Sequence, residues 1–480
     1  MTTALVIDAG SGGARAALYD HTGARLAHAE RPWRAHSVPA LAPFGREYTP
    51  ATVTRAIDDA VGAALRAVDP SIVDAVACTG QRVACAFLDA HGELLYAGPS
   101  GDVRALAGAA LDDLDAAALY RTTGRFPAWI HAPARLRWFE AQAPQTFARV
   151  RAVVSFGGIA LHALTGEAVV DPTTAADLSM LDVARGVRAL TSTGLDDDAW
   201  PRLAAATDVA GEVTEAAAER FGLRPGLPVA VGLADTHAAL PFGGADTLVA
   251  GSTAPLLRAV DSPVRDPKER LWLDPHPTPG RFCVEANLGE MGALHRWLVD
   301  ALAIDGFDAF EALARQAAPG CRGASSHLGP RAMDLRNLST GRPAALMMPF
   351  GETSLSAAPG RAELARSYLE SCAFAACAGR AWLDAVADAP DGVHVVGGLS
   401  RSALVAEVLA STLEAPVWRG PADATARGAA ACALVAAGHA AGLDEAVEML
   451  RVEPVRHDPV DDYEDAYERW LDREEQLEEG

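Results

Sequence analysis

The residues of this chain best placed to do chemistry lie near its middle. An apolar run at residues 229–231 breaks at Gly232, and Asp235 follows at once with Thr236 and His237 beside it. A carboxylate just past a strand end suits a base that must reach a substrate. A second apolar run, residues 247–250, breaks into Gly251, Ser252 and Thr253 and resumes at Leu256 and Leu257. That turn suits an oxyanion, because glycine lets the backbone come close and N–H and hydroxyl groups donate. A similar pattern opens the chain. Residues 4–7 are apolar and end at Asp8, and Gly10, Ser11, Gly12, Gly13 and Arg15 follow. Backbone N–H groups at such a tip can wrap a phosphate, Arg15 adds charge, and Asp8 could hold Mg2+ through water. A glycine-rich hairpin without a ligand is the competing reading of the same residues.

Other polar groups fall at expected strand ends. Gln81 and Arg82 follow a strand at residues 73–77, and Asp102 and Arg104 sit in a loop at residues 98–104. Taken singly, each also reads as a solvated loop residue. Gly397 and Gly398 separate a strand at residues 393–396 from a helix at residues 400–413, with Ser402 near its start. Free N–H groups at a helix start favour an anion or nucleotide, although two glycines at such a junction are common. Asp196, Asp197 and Asp198 could bind a cation, but they fit a capped helix start or a solvated loop better.

The elements that must position these groups alternate between short strands and helices. Thr49 and Pro50 open a helix with Val53, Ile57, Val61, Ala64 and Val68 on one face. A strand is expected at residues 83–88, helical segments at 135–138 and 147–150, and a helix end at the C-cap Gly166. Residues 171–182 read as a polar connection, and residues 285–292 as a glycine-punctuated loop entering a helix with Leu294, Trp297 and Leu298. Residues 344–350 read as a strand ending at Gly351, residues 361–388 as a long buried helix, and residues 416–418 as the last strand. Residues 423–437 form a Gly/Ala-rich helix in which Gly428 allows close packing, and the Glu-rich end of an amphipathic helix at 463–480 reads as solvated, with no role. Residues 248–257 echo the strand, turn and strand of residues 5–18.

Composition narrows the class. A chain of 480 residues, half of them apolar, suggests two domains or more. A net charge of −22 argues against nucleic acid, which needs a basic face. The seven cysteines form no CxxC pair and no Cys/His metal spacing, so they read as reduced and mostly buried. With no secretory signal and no long uncharged apolar run, the expectation is a soluble cytoplasmic protein without a membrane partner.

Taken in order, these motifs resemble the FGGY family of carbohydrate kinases, within the actin/hexokinase/Hsp70 ATPase superfamily. Asp8, Gly10, Ser11 and Arg15 are similar to that family's first phosphate loop; Gly80 and Gln81, with Leu88 and Asp89 beyond the next strand, to its first substrate loop. Asp102 and Arg104 match the end of its W-x-D-x-R segment, Gly232 and Asp235 the loop of its base, and Gly251, Ser252 and Thr253 its second phosphate loop. Gly397, Gly398, Pro416, Val417 and residues 423–430 resemble its C-terminal pattern around the nucleotide. The resemblance implies an α/β fold of two actin-like (ribonuclease H-like) domains, residues 1–242 and 243–480, with a nucleotide cleft between them. It implies transfer of the γ-phosphoryl group of MgATP to a hydroxyl of a sugar or polyol. Asp235 would be the catalytic base and would also bind substrate with Gln81, Arg82, Asp102 and Arg104. The ATP and phosphate contacts would be Asp8, Gly10, Ser11, Gly12, Gly13, Arg15, Gly251, Ser252, Thr253, Gly397, Gly398 and Ser402, with Asp8 near the metal. Kinases of this family often dimerise, so a homodimer is among the expectations.

The departures concern the acceptor and the adenine. Ser100 stands where the family has Trp, and Arg82-Val83 matches neither the Arg-Glu of glycerol kinases nor the Met-His of xylulose kinases. Arg82 could favour a carboxylated or densely hydroxylated acceptor. In the C-terminal pattern the usual Gln, Ala-Asp and Asn are Glu407, Ala410-Ser411 and Ser402. A nucleotide- or sugar-binding regulatory protein on the same fold and a phosphohydrolase are the alternatives.

Overall fold

The computed structural model describes residues 2–108, 115–189, 193–338, 342–349 and 359–479. The chain divides into two compact units. The first is Met1–Pro241 with Leu273–Phe282 and Ala424–Arg451, and the second is Phe242–Trp272, Cys283–Asp423 and Val452–Gly480.

The first unit is built on a six-stranded sheet in the order Val209–Glu212, Pro228–Ala230, Val73–Gly80, Thr3–Gly10, Gly13–Asp20, Arg25–Pro32. Thr3–Gly10 and Gly13–Asp20 form the antiparallel hairpin expected from the glycines, longer than the apolar runs suggest. Val73–Gly80 runs parallel to Thr3–Gly10, with Asp8 beside Thr79, and Pro228–Ala230 runs parallel to Val73–Gly80. Three parallel strands therefore lie side by side and point the same way, and the residues just beyond them are Ser11, Gln81 and Val231. Carboxyl ends of parallel strands are where α/β sheets place ligands.

Helices cover this sheet. Pro50–Leu65 buries Val53, Ile57, Val61 and Ala64, the face its sequence spacing defines. Ala424–Ala436 packs on Thr3–Gly10, Val73–Gly80 and the short helix Asp235–Ala239. Its contact is backbone to backbone, since a Cβ on Gly428 would lie 1.7 Å from the Ala238 carbonyl oxygen.

The second unit repeats the logic. Its sheet carries in order Phe282–Glu290, Thr253–Val260, Asp246–Val249, Val393–Val396, Val417–Arg419 and Val455–His457. Asp246–Val249 and Thr253–Val260 are an antiparallel hairpin, and Val393–Val396 and Val417–Arg419 continue it in parallel. The echo of the first unit is thus one of topology. The helix Arg361–Asp384 is buried along much of its length, with Tyr368, Leu369, Cys372 and Ala373 in the core.

Several expectations change. Residues 285–292 are mostly strand, and their glycines reflect a left-handed Gly289 (φ 77°) and the helix start at Gly292. The connection at 171–182 contains the buried helix Pro172–Asp177, capped by Asp171. The strand expected from residue 83 begins at Cys85, because Val83 is left-handed (φ 61°). The helical segment at 147–150 ends at Phe147, and the helix at 400–413 begins at Ala403 after a 3-10 turn. Residues 416–418 are not the last strand: Val455–His457 pairs with Val417–Arg419. The strand at 344–350 is Ala345–Met347, and Phe350 and Gly351 lie outside the described residues. The tail helix is Glu464–Glu479, with Gly480 outside the described residues. Its charge is not all solvated: Glu474 is buried and pairs with His327 at 2.6 Å and Arg342 at 2.9 Å. All seven cysteines are buried, and none forms a disulfide. Among the described residues, no helix is long and apolar enough to cross a membrane.

Candidate active site

Asp235 opens the five-residue helix Asp235–Ala239, five residues beyond the end of the short strand Pro228–Ala230. Gly232 makes this approach feasible. Its φ is 78°, and a Cβ there would lie 2.2 Å from the Cys78 carbonyl oxygen. The Thr79 hydroxyl donates to the Leu233 carbonyl at 2.9 Å and ties the loop to the neighbouring strand. Asp235 Oδ1 accepts the Thr236 N–H at 2.8 Å, and the Asp235 carbonyl accepts from the Thr425 hydroxyl at 3.0 Å.

Asp235 keeps partial exposure while its surroundings oppose its charge. Burial first, then the neighbouring Asp8 carboxylate, push its pKa up to about 7; Arg82 and the Thr236 N–H pull the other way. Asp8 is also raised, by burial, with Arg15 opposing. Asp8 Oδ2 accepts from Arg15 Nη1 at 3.2 Å, and Arg15 Nε reaches Glu30 at 3.2 Å. Asp8 Oδ1 is buried with no hydrogen-bond partner among the described residues.

The hairpin tip is braced from below. Trp33 Nε1 donates to the Gly10 carbonyl at 3.0 Å, and the Tyr48 hydroxyl to the Ser11 carbonyl at 3.0 Å. At the tip, Ser11 is exposed and Gly12 half-buried. Gly13 allows the hairpin to close on its partner, since a Cβ would lie 2.4 Å from the Arg31 carbonyl oxygen. Gln81 donates through Nε2 to the Tyr48 hydroxyl at 3.3 Å, and its N–H bonds the Ala9 carbonyl at 3.0 Å.

Arg82 is not a free cation. Its Nε donates to Asp177 at 3.1 Å, and its Nη2 lies 3.5 Å from Asp274. Arg125 bridges the same two carboxylates, at 2.6 Å to Asp177 and in a very close contact with Asp274. His237 is fully buried within electrostatic reach of this group, and burial, then Arg82, hold its pKa down to about 3, so it is neutral. The sequence reading missed Asp177, Arg125 and Asp274, and it noted His237 only as a neighbour. Asp177 and Asp274 lie 95 and 192 residues from Arg82 along the chain, and Asp177 sits in a segment that reads as a polar connection.

Asp102 and Arg104 are placed together but spend their polar atoms internally. Both are buried, Arg104 Nε donates to Asp102 at 2.6 Å, and Arg104 Nη2 reaches Glu47 at 2.8 Å. Tyr96 donates its hydroxyl to Asp102, and the Arg104 guanidinium lies over the rings of Tyr96 and Trp138.

In the second unit, the turn Gly251–Ser252 lies against the start of the helix Gly292–Ala301. The Gly292 N–H donates to the Gly251 carbonyl at 3.0 Å, and the Met291 N–H to the Ser252 carbonyl at 3.0 Å. A Cβ on Gly292 would lie 2.4 Å from that Gly251 oxygen, so the approach requires glycine. Gly397 (φ 86°) packs against Ala250, and the Leu399 N–H donates to the Ala250 carbonyl at 3.1 Å. The structure thus brings Gly251, Ser252 and Thr253 beside Gly397 and Gly398, a concentration of close-approach backbone suited to phosphate. Ser402 stands apart in role: it is buried, and its hydroxyl oxygen caps the next helix by accepting the Val405 N–H at 3.2 Å. Among the described residues, no three His, Cys, Asp or Glu side chains converge on a metal site.

Comparison with known proteins agrees with this arrangement. Residues 3–243 match the N-terminal domain, and residues 249–437 the C-terminal domain, of the FGGY family of carbohydrate kinases. The chain is 28% identical over 474 residues to an autoinducer-2 kinase of Klebsiella pneumoniae, an alignment covering 92% of this chain and 86% of the relative. It superposes on a xylulose kinase from Rhodospirillum rubrum with a TM-score of 0.79 at 25% identity, over 99% of each chain. A ligand-bound xylulose kinase from Lactobacillus acidophilus shares the fold with a TM-score of 0.83 at 17% identity, over 99% of this chain and 98% of that one.

Proposed function

We propose that this chain, which belongs to the FGGY family of carbohydrate kinases, transfers the γ-phosphoryl group of MgATP to a hydroxyl of a small sugar or polyol, with Asp235 as the base. The observation that carries the assignment is Asp235 itself: a partly exposed carboxylate at the end of parallel strands, with a pKa of about 7. A base of that pKa is ionised in half its copies at neutral pH and still takes a proton readily. The acceptor hydroxyl oxygen bonds to the γ-phosphorus, the bond from that phosphorus to the β,γ-bridging oxygen breaks, the hydroxyl proton passes to an Asp235 carboxylate oxygen, and ADP leaves.

The remaining residues orient and stabilise. The N–H groups of Ser11, Gly12 and Gly13, and those of the Gly251 turn, suit phosphate oxygens, with Arg15 able to exchange its Asp8 contact for phosphate. Gly397 and Gly398 would border the nucleotide. The Asp8 carboxylate, with one buried oxygen unpaired, fits a hard divalent cation, which it would hold through water. Mg2+, when bound, supplies charge neutralisation at the phosphates. Gln81 and Arg82 would face the acceptor, and Asp102 and Arg104, closed on each other, would stiffen its wall. We place the enzyme in the cytoplasm, and sedimentation would read whether two copies pair. The regulatory reading gains no support from these residues.

The test is ADP release with MgATP against ketoses, aldoses, polyols, sugar acids and autoinducer-2, for which the curated relatives are named. One acceptor should raise turnover far above background, and Asp235→Asn should lower that turnover by about 10²- to 10⁴-fold. Acceptor-independent phosphate release undiminished in the variant would sink the assignment.

A further inference from the structure

Arg82, Asp177, Arg125 and Asp274 form a closed ring in which each guanidinium touches both carboxylates. All four side chains are 9% exposed or less. The ring has two positive and two negative members and so no net charge. Its members come from four separate stretches of the first unit, and two of the stretches carry backbone that only firm surroundings sustain. Val83, beside Arg82, has a φ of 61°, and Ser179, two residues past Asp177, has a φ of 58°. Asp177 and Gln81 also line, with Ala234, the residue before the base, a small partly open pocket of about 20 Å³. Two members of the ring, Arg82 and Asp177, also lie within electrostatic reach of Asp235 itself.

We propose that Asp177, Arg125 and Asp274 are positioning residues that hold Arg82 in this neutral ring and so make the enzyme select an uncharged, polyhydroxylated acceptor over an anionic one. The proposal rests on reading Asp235 as the base and Arg82 as an acceptor-side residue. A lone buried arginine would draw a carboxylate and recognise it bidentately. Here both carboxylates of the ring already take that role. An incoming carboxylate would meet Asp177, Asp235 and Asp8 with no cation in the ring to spare, whereas hydroxyls can donate to the carboxylates and accept from the guanidiniums.

The test compares matched acceptors that differ only in a terminal hydroxymethyl or carboxylate: erythritol with erythronate, ribitol with ribonate, and glucitol with gluconate. Binding to the full chain is measured by calorimetry, and the ratio of the two Kd values is the readout. Wild type should favour the polyol in the pairs that bind. Asp274→Asn, which leaves the ring one positive charge in excess, should move the ratio toward the acid by about tenfold or more. Arg125→Met should move it the opposite way, and the double variant, neutral again, should return it to within about threefold of wild type. If Asp274→Asn does not fold, Asp177→Asn carries the same expectation, and the double variant is read on its own. A wild type that prefers the acids or binds neither member of any pair, or a folded Asp274→Asn with an unmoved ratio, would overturn the proposal. A wild type that shows the expected ratios yet phosphorylates no acceptor would sink only the kinase assignment.

Discussion

Replacing Asp235 with Asn should stabilise this protein at neutral pH while removing its activity. The folded chain holds the Asp235 carboxyl in a setting that opposes ionisation, raising its pKa from 3.8 to about 7. That rise of about three pH units, at about 1.4 kcal/mol each, caps the cost of the charge at about 4 kcal/mol. Asparagine is spared that cost, in which the Thr236 N–H and Arg82 are already set against burial and Asp8, and solvent at the partly exposed side of Asp235 screens the amount downward. A net gain of about 2 kcal/mol is expected, or a rise in Tm of roughly 4–8 °C. The sign with pH is determined. Between pH 3.8 and about 7 the folded chain keeps a proton that the unfolded chain has lost, so wild-type stability falls relative to the variant as pH rises through that window. The gap in Tm should be under about half its full size at pH 5 and complete by pH 8. Differential scanning calorimetry of both proteins from pH 5 to pH 8 reads it directly, since groups common to both cancel. A variant less stable than wild type at pH 8, or a gap that does not change with pH, would mean that burial and Asp8 do not set the proton affinity of Asp235.

The same pKa predicts an acid limb near pH 7 in kcat/KM, with roughly a fivefold fall from pH 7 to pH 6, read in a pH-rate profile; a flat profile across that range would remove Asp235 as the titrating base. Gly428→Val should drive a side chain into the Ala238 carbonyl, cost about 1–3 kcal/mol or more, and lower kcat because Ala238 shares its helix with Asp235; melting and turnover together check this.

The parts of the site that were legible in the sequence are those whose chemistry is local. Gly10 to Gly13, Gly232 with Asp235, and Gly251 to Thr253 announce themselves because a turn, a close approach and the group it presents all fall within a few residues. Buried charge is not local. Asp177, Arg125 and Asp274 look like solvated loop residues until the fold sets them against Arg82, and Asp274 arrives from a segment that follows the first strand of the second unit. Glu474 was hidden in the same way by a tail otherwise rich in exposed acids, its partners His327 and Arg342 lying far back in the chain. The strand at Phe282–Glu290 was hidden by glycines that serve a left-handed turn and a helix start rather than a loop. Val455–His457 pairs at the end of its sheet, where none of its side chains is buried, so it has no apolar run to reveal it.

The discontinuity of the first unit has a consequence for how the protein is made. Its sheet is complete by Ala230, yet the helix Ala424–Ala436, whose buried alanines lie on Thr3–Gly10 and Val73–Gly80, is encoded roughly 200 residues later. At about 5–20 residues per second, a nascent chain waits about 10–40 s at the ribosome with that face of the sheet open. Apolar strands left uncovered for so long are targets for holding chaperones and for association with neighbouring nascent chains. A gene cut after residue 241 would make that exposure permanent.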